Sequence, residues 1–142
     1  VGVLRTYVAL LRMGERERQH ACEHLLATAA NADGALPLSS VIFAASQGCA
    51  DQAFDLLDAA IDSGRSLRSD NHDGYGMARA QSSLQLFVAN GGAPLWSHKR
   101  FPALAARLGL AQYWLQTKKW PDCAAQTDYD FKSACRDAVG TL

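Results

Sequence analysis

The sequence predicts an all-α fold, tetratricopeptide-like in outline, made of stacked helical hairpins. Apolar residues recur at the spacing of a helix face through most of the chain. Glycines divide these segments into helices too short to bury an apolar face alone, so neighbouring helices must stack on them. No stretch of useful length alternates apolar and polar residues, so no strand is predicted.

The clearest helical hairpin is predicted over residues 37–64. Gly48 separates its two helices and Gly64 ends the second, because glycine readily adopts the left-handed conformation that stops a helix. Ser39 or Ser40 is expected to cap the first helix, and Asp51 to start the second. The apolar face of the second helix consists of Ala53, Phe54, Leu57, Ala60 and Ile61.

An earlier hairpin is predicted from helices over residues 3–13 and 15–30, which Gly14 separates. Residues 31–34 (NADG) form the turn to the next hairpin, so residues 1–64 hold two hairpins. Residues 65–76 are polar and rich in glycine, which is typical of a loop.

The last part of the single domain, residues 77–142, is predicted to hold further helices and a C-terminal cap. An amphipathic helix over residues 77–88 ends in the turn at residues 90–94. A short helix over residues 101–108 stops at Gly109. The next carries Tyr113 and Trp114 and ends before residues 120–122, and a final short helix covers residues 134–139.

Composition limits the classes of function. The chain has 142 residues, which is one domain, and its 14 basic residues balance its 14 acidic ones. A neutral chain lacks the surplus of Lys and Arg that sequence-independent nucleic-acid binding requires. No apolar run approaches the ~20 residues of a membrane-spanning helix, so no membrane insertion is expected. The chain opens with no signal-peptide pattern and does not begin with Met, so we expect an isolated domain or a processed fragment.

The hairpin at residues 37–64 resembles a tetratricopeptide repeat. Ala44, Gly48, Ala53, Leu57 and Ala60 stand where that family places small interhelix residues, the turn glycine and one larger apolar residue. The pair Ala21 and Leu25 stands in the earlier hairpin where Ala53 and Leu57 stand in this one, close to the family's period of about 34 residues.

Residues 99–123, KRFPALAARLGLAQYWLQTKKWPDC, carry a second resemblance. They are similar to the C-terminal end of bacterial tetratricopeptide-bearing signalling proteins, which have an N-terminal winged-helix regulator or adenylate-cyclase domain. The matching residues are Arg100, Phe101, Leu108, Gly109, Leu110, Tyr113, Trp114, Trp120, Pro121, Asp122 and Cys123. The resemblance implies an aromatic-rich C-terminal cap on a helical-repeat array, with the effector domain upstream.

The same resemblance implies a non-catalytic interaction or sensing module. No cofactor is expected, and the balanced charge predicts that the chain does not itself bind nucleic acid. The family's groove positions map onto Leu38, Ser39, Ile42, Ala45 and Ser46, whose small side chains would suit a protein or peptide partner. A structural spacer or dimerisation element is an alternative, and the oligomeric state is left open. The expected compartment is the cytoplasm, with a periplasmic domain of a membrane-anchored regulator as the alternative.

A rival from another class is a zinc hydrolase. His20, Glu23 and His24 match H-x-x-E-H, in which two histidines one helical turn apart bind zinc and the glutamate acts as base. Such a site needs a third protein ligand, and no later motif identifies one. An exposed polar helix face is the preferred interpretation of these residues.

Asp51, Asp55, Asp58 and Asp62 recur along one face of the second helix of the hairpin. We call them the aspartate stripe. Such a stripe is usually a solvated helix face. The alternative is a docking strip for a basic partner.

Cysteines and tryptophans near the end of the chain suggest closure of the stack. Cys123 and Cys135 flank a short polar segment and could form a disulfide in an oxidising compartment, or stay buried thiols in a reducing one. Cys22 and Cys49 have apolar neighbours and are predicted to lie in the core. Trp96, Trp114 and Trp120 are interpreted as hydrophobic closure in preference to a ligand site.

Overall fold

The computed structural model describes residues 14–68 and 92–142, and these are mostly helical, as the sequence predicts. The predicted helices over residues 3–13 and 77–88 lie outside this part of the chain. The helices are α1 (Glu15–Ala30), α2 (Leu38–Ser46), α3 (Ala50–Asp62), α4 (Ala93–Trp96), α5 (Phe101–Arg107), α6 (Leu110–Thr117) and α7 (Phe131–Gly140), with a 3-10 helix at Asp122–Ala125. No helix among these residues is both long and apolar enough to cross a membrane.

One short parallel pairing was not predicted. Strand β1 (Leu36–Pro37) pairs with strand β2 (Leu67–Arg68), so that Leu36 stands opposite Leu67. The backbone N–H of Leu36 also donates to the carbonyl of Ser66 over 2.7 Å. The segments just before α2 and just after α3 are therefore bound to each other, which closes the hairpin between them.

The helix starts differ from the capping prediction. The N-cap of α2 is Pro37 and not Ser39 or Ser40, and the N-cap of α3 is Cys49, with Asp51 inside the first turn. Pro37 is held extended by its pairing in β1, and its fixed φ suits the residue before a helix. Both helices therefore begin two or three residues earlier than the polar side chains suggest.

The predicted turn at Gly48 is present. Gly48 has a φ of 97°, which is left-handed backbone that other residues rarely adopt. This conformation reverses the chain within three residues, so α3 can return along α2. As expected, α3 ends just before Gly64 and α5 ends just before Gly109.

Helix α2 lies at the centre of the first half of the core. Six of its nine residues are buried, and it packs against α1, α3 and α4. In the second half, α5 packs against α6 and α7. The largest fully buried side chains are Phe54, Phe101 and Phe131, one each from α3, α5 and α7. One continuous apolar cluster thus joins residues on both sides of the gap in the described chain.

Aromatic rings gather around Phe131 near the C-terminus. The ring centroid of Trp114 lies 5.6 Å from that of Phe131, and the centroid of Trp120 lies 6.4 Å from it, edge-on. The hydroxyl of Tyr129 donates to the backbone carbonyl of Trp96 over 3.0 Å. Trp114 and Trp120 are thus in one ring cluster, and Trp96 is joined to it through Tyr129.

Candidate functional site

The predicted groove residues on α2 are divided between the core and the surface. Leu38, Ile42 and Ala45 are buried, whereas Ser39 and Ser46 are exposed. The reason is that α1, α3 and α4 all pack against α2. The groove stays a prediction, but three of its five side chains could reach a partner only if α2 were unpacked.

The H-x-x-E-H residues lie on the exposed side of α1. His20, Glu23 and His24 are all solvent-exposed, and Oε1 of Glu23 accepts a hydrogen bond from Nε2 of Gln19 over 3.0 Å. Nowhere in residues 14–68 or 92–142 do three His, Cys, Asp or Glu side chains come together in a way that could hold a metal ion. The two histidines therefore have no third protein ligand in this part of the chain.

The aspartate stripe is paired within the molecule. His98 Nε2 lies 3.2 Å from Oδ1 of Asp51, and Arg100 lies 2.8 Å from both Asp55 and Asp58. Arg107 approaches the other oxygen of Asp58 over 2.8 Å and also binds Asp62. These contacts form a ladder of ion pairs along α3, and its cationic side comes from the segment between α4 and the end of α5.

The ladder rests on a buried ring. The guanidinium carbon of Arg100 lies 5.4 Å from the ring centroid of Phe54, and the ring of His98 lies 4.8 Å from it. A cation over an aromatic face is attracted by the ring quadrupole. Hydrogen bonds to Asp55 and Asp58 raise the pKa of the Arg100 guanidinium. The stripe is therefore part of the joint between α3 and α5, and not an open acidic strip.

Arg65 is a structural residue that the sequence did not reveal. Its guanidinium donates to the carbonyls of Gly34 over 2.7 Å, Ala30 over 2.9 Å and Ala29 over 3.1 Å, and also to that of Ala32. These carbonyls lie at or just after the end of α1, where backbone acceptors have no partner within the helix. Nothing local could indicate this contact, because the acceptors lie more than thirty residues earlier in the chain.

The two C-terminal cysteines are buried thiols. Cys123 is 8% exposed and Cys135 is fully buried, and both are free. Burial raises the pKa of Cys123 to about 11. Burial, and next the nearby Cys123 thiol, raise the pKa of Cys135 to about 12. A disulfide between them stays a prediction.

An open pocket lies beside the cluster of aromatic rings around Phe131. It has a volume of about 480 Å³ and is lined by Trp120, Pro121, Asp122, Ala124, Ala125, Tyr129, Asp130, Phe131 and Lys132. The Nζ of Lys132 lies 5.5 Å from the ring centroid of Trp120, so one face of this indole already has a cation over it. We call this feature the C-terminal pocket. Its walls are aromatic, and its charged groups are two carboxylates and one ammonium.

The chain was compared with known proteins in three ways. No protein-family model matches it, and neither the curated proteins nor the solved structures contain a match.

Proposed function

We propose that this chain is a non-catalytic interaction or sensing module. In this proposal its helices form a tetratricopeptide-like stack with an aromatic cap, as the C-terminal part of a larger bacterial signalling or transcription-regulatory protein. Support comes from the packing of short helices around α2 and from the residues at 99–123 that resemble such C-terminal ends. The observation that carries a binding role is the C-terminal pocket.

The partner that suits this pocket is a protein or peptide segment with a cationic side chain. Three aromatic residues and two carboxylates line the pocket, against a single ammonium, so its charge complements a cation. The position of Lys132 Nζ over the Trp120 ring supports a cation at that ring face. Cation–π contacts stabilise by about 0.5–2 kcal/mol. A ligand cation would displace Lys132 and take its place over the ring.

A direct test measures binding of N-acetyl-arginine amide by the chemical shift of the Trp120 indole N–H. The control ligand is the citrulline analogue, which has nearly the same shape without the charge. We expect weak, saturable binding of the arginine compound, with a Kd of roughly 1–30 mM, because the ring contact and the two carboxylates together give only about 2–4 kcal/mol. Equal binding of both compounds, or no binding of either, would eliminate the cation site.

Matched variants locate the contact. In Asp122→Asn/Asp130→Asn both carboxylates of the pocket lose their charge. Asparagine keeps the capping role of Asp130, which accepts a hydrogen bond from the backbone N–H of Ser133 over 3.0 Å. Asp128→Asn is the control, because Asp128 is exposed nearby and does not line the pocket. We expect affinity to fall several-fold in the double variant and to stay the same in the control.

A further inference from the structure

Cys22 and Cys49 lie together although they come from different elements. Cys22 is in the middle of α1, and Cys49 is the residue before α3, directly after the turn at Gly48. They are 3% and 1% exposed. The sequence predicts for them only a place in the core, and nothing in their spacing indicates a pair.

Their contacts bring both residues to the same backbone carbonyl. The Sγ of Cys22 lies 3.6 Å from the carbonyl oxygen of Ala44, and the backbone N–H of Cys49 donates to the same oxygen over 3.1 Å. The Sγ of Cys49 lies 3.5 Å from Oε1 of Gln19, which is one turn before Cys22 on α1. The Cys49 thiol is near enough to add to the rise in the pKa of Cys22. Both sulfur atoms therefore lie in one small space between α1 and the start of α3.

We propose that Cys22 and Cys49 are an oxidisable thiol pair, which closes a disulfide from α1 to the start of α3 when the protein meets a small-molecule disulfide such as oxidised glutathione. The thiolate of one cysteine attacks the glutathione disulfide and releases one glutathione thiolate. The second cysteine then attacks the mixed disulfide and releases the other. Two protein thiols and one glutathione disulfide become one protein disulfide and two glutathione thiols.

The surroundings tolerate the new bond. When Cys22 loses its thiol hydrogen, the carbonyl of Ala44 still accepts from the backbone N–H of Cys49, so no buried acceptor is left without a partner. Burial, and next the neighbouring Cys49 thiol, raise the pKa of Cys22 to about 12. The reacting thiolate is therefore scarce at neutral pH, and the exchange is slow there and faster as the pH rises.

This pair is separate from the C-terminal cysteines. Cys123 and Cys135 lie on the 3-10 helix and on α7, whereas Cys22 and Cys49 join α1 to the start of α3. Oxidation of one pair therefore leaves the other pair's atoms in place. We expect the chain to take up two disulfides in two independent steps, each inside one half of the described structure.

The test incubates the folded, reduced chain with excess oxidised glutathione at pH 8.5 and identifies the products by mass spectrometry. The variant Cys123→Ser/Cys135→Ser leaves only the proposed pair. We expect it to lose two hydrogen atoms and to retain no glutathione, with a Tm on the order of 10 °C higher that returns to the starting value on reduction. Cleavage after Glu23 separates Cys22 from Cys49 and shows the linkage directly.

Wild-type protein provides the same answer if the double variant does not fold. Cleavage after Lys132 separates Cys123 from Cys135, so the two disulfides are distinguished in one sample. Two results overturn the proposal. One is a separate glutathione bound to each of Cys22 and Cys49. The other is two thiols that stay free under conditions in which the urea-unfolded chain is fully oxidised.

Discussion

Nη2 of Arg100 lies 2.8 Å from Oδ2 of Asp58, although 42 residues separate the two in the chain. The other oxygen of Asp58 binds Arg107. One carboxylate thus joins the arginine just before α5 to the arginine at its end, about two helical turns away. About two thirds of the Asp58 side chain is covered. This partly buried pairing connects the hairpin of α2 and α3 with the C-terminal helices.

The pair formed by Asp58 and Arg107 is expected to contribute about 1 kcal/mol to the free energy of unfolding. Exposed pairs usually contribute less, and this one is partly covered and belongs to a network. A double-mutant cycle with Asp58→Asn and Arg107→Gln, followed by urea unfolding, measures the coupling. We expect it to weaken in 1 M salt. Lys99→Gln is the control, because Lys99 is an exposed neighbour outside the ladder. A coupling free energy near zero at low salt would show that this ion pair does not stabilise the fold.

Replacing Arg65 should destabilise the chain more than replacing any one arginine of the ladder. Arg65→Met leaves the carbonyls after α1 without their charged donor, and we expect a loss of about 2 kcal/mol. Arg65→Lys should recover little, because a single ammonium cannot donate to four carbonyls in this planar arrangement. Urea unfolding of both variants tests this, with the exposed Arg16→Met as control. Full recovery by lysine would mean that charge alone is needed.

Alanine substitutions at two glycines, one left-handed and one helical, separate the effect of backbone strain from that of space. Gly109 has a φ of 79° between α5 and α6, so Gly109→Ala should destabilise by about 1–2 kcal/mol although no atom lies near the new methyl group. Gly140 is helical and also has open space, so Gly140→Ala should be neutral or stabilise by a few tenths of a kcal/mol. Thermal unfolding compares them. Equal effects would contradict a role of backbone conformation.

Stability of the reduced protein should fall as the pH rises above about 9. The pKa values of Cys22, Cys123 and Cys135 are raised by burial to about 12, 11 and 12, from 9.0 for a free thiol. Burial also raises the pKa of Tyr129. Between pH 9 and 11 the unfolded chain therefore loses protons that the folded chain keeps, and this favours unfolding.

Urea unfolding at pH 8, 9 and 10 in the presence of a phosphine reductant measures this slope. Cys123→Ser/Cys135→Ser should have a shallower slope than the wild type, because two of the shifted groups are gone. A stability that rises with pH over this range would contradict the protonated state of the buried thiols.

Zinc binding is expected to be weak, with much less than one zinc ion per chain after purification. His20 and His24 are exposed, and the part of the chain that the structure describes brings no third ligand to them. Metal analysis of protein purified without chelator or nickel resin tests this directly. One tightly held zinc per chain that is lost in His20→Ala, but not in His98→Ala, would instead favour the hydrolase.

Local signals predicted α1 and the position of the last helix, whereas α4 begins inside the turn predicted at residues 90–94. The bounds of α1 agree with the predicted residues 15–30, because Gly14 and the turn at residues 31–34 define both ends. The last helix was predicted over residues 134–139 and spans Phe131–Gly140. The signal for its start was present in Asp130, whose carboxylate caps the helix by accepting from Ser133.

Contacts between distant residues could not be predicted in this way. The aspartate stripe and the arginines of α5 are both visible in the sequence, but their pairing depends on how α3 and α5 pack, which has no local signature. The same holds for Arg65 on the carbonyls after α1 and for the pairing of β1 with β2. The C-terminal pocket was not predicted, because Trp120 was interpreted as closure of the stack in preference to a ligand site.

The carboxylates of the ladder are regularly spaced along α3, and regular spacing would allow α3 to shift along its axis relative to α5. Its carboxylates recur at every turn of the helix, so a shift of α3 by one turn, about 5.4 Å, would offer Arg100 and Arg107 a new set of equivalent partners. Ion pairs therefore hold the two helices together without fixing where along their length they meet. The alignment has to come from side-chain packing, because the buried ring of Phe54 lies beneath Arg100 and a shift of α3 would move it out of that position. Shortening Phe54 would loosen the alignment even with every charge intact.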